Sequence, residues 1–143
     1  MEAATLRGRC SKPEDCKTSP LCLVSVYNLN AMDRRRFEEL VEQAFKRLPE
    51  AFRSKLTNVA IIVEDCPPGK PERNGLLLGL FHGVPLTEKS VFQPTPPDRI
   101  FLYQRSIEAV CSTDEEIRRQ IRATLLHELG HYFGLNEEEL REI

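Results

Sequence analysis

His127 and His131 stand four positions apart with Glu128 between them, in the order His127-Glu128-Leu129-Gly130-His131. On an α-helix this spacing puts both imidazoles on one face, one turn above the other. Two ring nitrogens so placed suit a single zinc ion, and a glutamate inside such a pair is the usual general base of a metallopeptidase. The pair uses two of the three histidines in the chain. The pattern runs on through Gly134 to Glu137, giving H-E-x-x-H-x-x-G-x-x-E. A helix that stops at a glycine lets the chain turn back on itself. That makes Glu137 the choice for a third ligand, with Glu138, Glu139 and His82 as competing donors. The chemistry such a set supports is amide hydrolysis. Bound zinc lowers the pKa of water to about 7. Glu128 then takes the proton and delivers it to the leaving amine. Tyr132, Tyr103 and Arg105 are candidate oxyanion donors, and sequence singles out none of them.

The element that carries the motif is a helix beginning after Thr113, which forms a capping box with Glu116; the cap contributes about 1 kcal/mol. Asp114, Glu115 and Glu116 suit the positive end of its dipole. Ile117, Ile121 and Leu125 make one apolar row, and Leu126, Leu129 and Phe133 a second. Gln120, Thr124, His127 and His131 form a polar row between them. This pattern predicts a core helix with one polar stripe facing a cleft, ended at Gly134. A short helix over Glu137 to Ile143 follows.

An earlier helix is marked by Phe37, Leu40, Val41, Ala44, Phe45 and Leu48 at helical spacing. Asp33 is placed to cap it, Glu42 and Lys46 form an i,i+4 pair, and Pro49 closes the main stripe. Arg34, Arg35 and Arg36 read as a solvated face. Between the two helices lie three strand signals. Val59 to Val63 is a buried β-branched run; Leu76 to Phe81 is an apolar run with Gly79 inside it; Arg99 to Gln104 alternates weakly. Residues 66–71 and 93–98 are loops by composition. The order helix, strand, strand, strand, helix gives an α+β domain over residues 32–143. Residues 1–31, polar and without apolar period up to Pro20, read as a disordered or extension segment.

Composition narrows the class. The chain has 143 residues, 29% charged and 41% hydrophobic, with a net charge of −2. One domain with its own core is expected. That charge gives no push toward nucleic acid or an anionic membrane, and no apolar run approaches the ~20 residues of a membrane span. Leu21 to Val26 is too short for a signal-peptide core, so the expected location is the cytoplasm. The five cysteines are odd in number, and Cys10, Cys16 and Cys22 lack the short spacing of structural zinc pairs. Reduced thiols are expected.

The stretch from His127 to Glu137 resembles the signature of the small bacterial zincin-like metallopeptidase family. That family keeps the metzincin-type spacing but has an acid where metzincins carry a third histidine. Phe37 to Val41, Asn58 to Pro68, Leu78 to Leu86 and Asp98 to Tyr103 extend the resemblance over residues 32–143. It implies a minimal zincin, a small mixed sheet packed against the first helix and the motif helix. It also implies a peptide or protein substrate lying along an edge strand beside the metal, here Leu76 to Phe81. The function expected is zinc-dependent peptide hydrolysis; the alternative is a non-catalytic zinc-binding module that docks a protein segment. The methionine turn of metzincins has no counterpart before Ile143.

Overall fold

The computed structural model describes residues 31–68 and 77–141, together with the backbone of Leu6–Gly8. The elements run β1 (Leu6–Gly8), α1 (Arg34–Lys46), α2 (Glu50–Arg53), β2 (Val59–Glu64), β3 (Gly79–His82), a 3-10 turn at Leu86–Glu88, β4 (Asp98–Tyr103), α3 (Gln104–Ala109), α4 (Asp114–Tyr132) and α5 (Glu137–Arg141). The strands form one sheet in the order β1-β2-β4-β3. The β1–β2 and β2–β4 pairs are parallel and β3–β4 is antiparallel. This is the mixed sheet of the expected α+β architecture. Strand β1 lies in a stretch whose polar composition gave no strand signal; the rest of the expectation for residues 1–30 lies outside the described residues.

One face of the sheet builds the core. Val59, Ile61 and Val63 alternate inward on β2, and Ile100 and Leu102 match them in register on β4. Phe37, Leu40 and Val41 of α1 and Ile117, Ile121, Leu125 and Leu129 of α4 join them in one buried cluster. The two long helices thus bury their apolar stripes against each other and the sheet. Among the described residues no helix is long and apolar enough to cross a membrane.

Several local expectations change. Asp33 is the N-cap of α1, but its side chain makes no capping bond; only its carbonyl accepts, from Phe37 N–H. Arg34 is no solvated charge. It donates to Val63 O and pairs with Asp65, tying α1 to the end of β2. Arg35 and Arg36 do face solvent beside Glu39. Strand β3 begins at Gly79 rather than Leu76, and β4 ends at Tyr103 because Gln104 opens α3. Helix α3 was hidden because its buried positions include Gln104, Ser106 and Glu108, which erase the apolar period. Their burial has a purpose in part: Gln104 Nε2 donates to Met32 O, and Glu108 Oε1 accepts from Met32 N–H and from Gln104 Nε2.

Candidate active site

Helix α4 starts as its capping residues require. Thr113 Oγ1 accepts from Glu116 N–H at 3.2 Å, and Glu116 Oε2 returns the bond to Ser112 N–H. The helix then runs nineteen residues to Tyr132. It ends in a left-handed turn at Gly134, φ 89°. Leu135 N–H donates to Gly130 O and Gly134 N–H to His131 O, both at 3.0 Å. That pair of bonds is a Schellman motif, and glycine takes its left-handed position without a Cβ penalty. Beyond it, Asn136 caps α5, exchanging bonds with Glu139 in both directions. Leu140 of α5 packs where a Cβ on Gly130 would stand, 2.1 Å from Leu140 Cδ2. The missing side chain at position 130 therefore lets α5 fold back onto α4.

The result brings Glu137 to both histidines. Glu137 Oε1 lies 3.4 Å from His127 Nε2 and 3.0 Å from His131 Nε2. The three donor atoms fall within 4.8 Å of one another. Donors bound at 2.0–2.1 Å in a tetrahedral zinc site lie about 3.3 Å apart. The spacing and the chemistry of this N2O set therefore fit a zinc ion. The other candidate donors are elsewhere occupied or outside the group. Glu139 is turned to Asn136 N–H, and neither Glu138 nor His82 belongs to the cluster. His82 sits exposed at the end of β3, opposite Arg99.

Glu128 is nearly buried, 6% exposed, and Oε2 accepts from Phe81 N–H at 2.8 Å. Phe81 faces β4 at a position whose N–H points out of the ladder, since the bonded pairs are those in register with Leu78–Tyr103. Glu128 thus satisfies an outward donor of the edge strand, and its other oxygen has no protein partner among the described residues. Burial pushes the Glu128 carboxyl up from its ordinary range, against the opposing pull of His127, His131 and the Phe81 N–H.

The three oxyanion candidates are not where that role needs them. Tyr132 is fully buried and its hydroxyl donates to Lys55 O. Burial, with Glu64 and Glu128 nearby, pushes the Tyr103 hydroxyl up to about 12. Arg105 faces Asp65. None of the three lines the cavity of about 470 Å³ that opens over His127, Glu128, His131 and Glu137. Its walls come instead from β3 (Leu80 and Phe81), from Pro85 and Glu88 of the following loop, and from Leu135 and Asn136. Glu88 and Asn136 escaped sequence reasoning because nothing in their local pattern marks them; only the fold brings the loop after β3 over the helix end. That loop is fixed from below, where buried Asp98 accepts from Val84 N–H and pairs with Lys89. Lys89 Nζ in turn sits 4.9 Å over the Tyr132 ring.

A family model described as zincin-like metallopeptidase matches residues 56–143. The chain belongs to that family. A solved structure of a conserved hypothetical protein from Thermo thermophilus shares 28% identity, with 71% of this chain and 94% of that chain covered and a TM-score of 0.49. No protein of curated function matches the chain.

Proposed function

We propose that this protein is a zinc-dependent peptidase in which His127, His131 and Glu137 hold the ion and Glu128 is the general base. The observation that carries the reading is the convergence of two imidazoles and one carboxylate at zinc-ligand spacing, beside a buried carboxylate with one oxygen free. Zinc held there supplies a Lewis acid that polarises the scissile carbonyl and lowers the pKa of water to about 7. The rest is the work of the chain. The Phe81 N–H fixes the rotation of the Glu128 carboxylate by holding Oε2, so the second oxygen is the one that accepts the proton. The same carboxylic acid then protonates the leaving amine.

A peptide substrate is expected to lie in extended form along β3, an edge strand of the sheet among the described residues. Of the groups that point outward there, the Phe81 N–H is already taken by Glu128, which leaves Gly79 N–H and the Gly79 and Phe81 carbonyls to pair with it. The apolar walls from Leu80, Phe81 and Leu135 suit hydrophobic side chains flanking the cleaved bond.

The test is a proteome-derived peptide library read by mass spectrometry for the wild type and for Glu128→Gln, each with its zinc content measured. Cleavage by the wild type alone, at equal zinc content, supports the reading. Zinc in both proteins and cleavage by neither would instead indicate a zinc-binding module that docks a peptide without cutting it.

A further inference from the structure

A second cavity, of about 110 Å³, opens between α1 and the first turns of α4, and no residue lines both it and the candidate active site. Arg47 from the C-terminal end of α1 and Arg118, Arg119 and Arg122 from α4 converge on it, over a floor that includes Leu40 and Ala44. Glu115 is the one carboxylate on its wall. Elsewhere Arg34, Arg35, Arg36, Arg53 and Arg105 pair with a carboxylate, whereas Arg99 and Arg141 stand singly without an ion pair among the described residues. Among the described residues the four that line this groove have no ion pair. Gathering four cations around one cleft adds mutual repulsion. An anion that sits among the four guanidinium groups removes it.

Guanidinium forks match the oxygens of phosphate, and a compact three-dimensional cluster suits one such group better than a polymer. We propose that this groove binds a phosphate group, carried by inorganic phosphate or by a small phosphorylated metabolite. A nucleic acid is disfavoured because the arginines ring a small cavity rather than forming a stripe, and the chain as a whole is acidic, with a net charge of −2. The proposal stands on residues of its own and does not depend on the peptidase reading.

The test is titration calorimetry of the intact protein with inorganic phosphate, and separately with adenosine monophosphate, at ionic strength held constant with sodium chloride. Saturable binding is expected, at least tenfold weaker in Arg118→Gln/Arg122→Gln and unchanged in His131→Ala, a variant that removes any phosphate bound through a metal at the other site. Tighter binding of the nucleotide identifies a metabolite as the source; equal affinity identifies the free ion. Because the double variant strips charge from a helix, Glu115→Gln serves as the second probe: it leaves every arginine in place and should tighten phosphate binding severalfold. Absence of saturable binding overturns the proposal. So does binding that the Arg118→Gln/Arg122→Gln and Glu115→Gln variants leave untouched, or that His131→Ala abolishes. Binding of DNA or heparin without binding of inorganic phosphate overturns it too.

Discussion

At the scale of single residues, the proposed function divides the site into groups that would hold a metal and one group that would transfer a proton. With His127, His131 and Glu137 as the proposed holding set, Glu137→Ala should lower zinc affinity by an order of magnitude or more, measured by competition with a chromophoric chelator. Unchanged affinity in that variant would move the third ligand elsewhere. Glu128 is the proposed transferring group and does not belong to the three-donor cluster. Substituting glutamine keeps the size and an oxygen that can still accept from Phe81 N–H, while removing the base. The expected loss in kcat is on the order of 10²–10⁴, the usual contribution of a positioned acid–base group. How much of this the sequence discloses follows from distance along the chain. The two histidines and the glutamate share one helix, where four-residue spacing is geometry. Glu137 was within reach of sequence because Gly134 marks the turn. The Phe81 N–H that steadies Glu128 was not, since it lies 47 positions away and is a backbone group with no side-chain signature.

At the scale of elements, the placement of Glu137 depends on how α5 folds against α4. Gly130 has no side chain at the point where Leu140 arrives, 2.1 Å from an added Cβ. Gly130→Ala should therefore displace the Leu140 side chain that docks α5 and so weaken zinc binding modestly, although alanine is the better helix former. Gly130→Ala/Leu140→Ala removes the collision and should recover most of the affinity. An alanine at position 130 that leaves zinc affinity intact would show that α5 does not need this contact. Element boundaries were read less well than element types. Helix α4 and β2 announce themselves through long regular patterns, whereas α3 and the 3-10 turn are short and mix polar with apolar positions. The polar residues of α3 are buried for tertiary reasons, and local periodicity carries no record of that. The arginine groove was illegible for a related reason: Arg47 and Arg118 to Arg122 look like two solvated helix faces until α1 and α4 pack side by side.

At the scale of the whole molecule, one buried carboxylate links folding to pH. Glu108 in α3 is 2% exposed and fastens Met32, just ahead of α1, to the core. Burial raises its pKa above the ordinary 4.5, outweighing the bonds from Gln104 and Met32 N–H and the charge of Arg105, which pull it down. The folded state thus keeps its proton where the unfolded chain has lost it. Stability from this group is present below about pH 4.5 and is lost as pH rises through the raised folded value. Glu108→Gln holds the neutral form at every pH, so its melting temperature should gain on the wild type as pH climbs from about 4.5 through the raised folded value; a difference that stays flat across that window would contradict the assignment. The α+β class and the two long helices were legible because hydrophobic periods decide them, whereas the mixed sheet was expected only from the family resemblance. The strand order, with β3 outside β4, was not, because it follows from pairing between distant segments. That order is also what leaves an edge strand beside the candidate metal ligands, where the proposed function lays the peptide. The most direct test of that claim is cleavage of a peptide library by the zinc-loaded wild type beside zinc-loaded Glu128→Gln. The account predicts discrete cleavage products from the wild type, none above background from the variant, and equal zinc in both. Products of equal yield from the two proteins would contradict it.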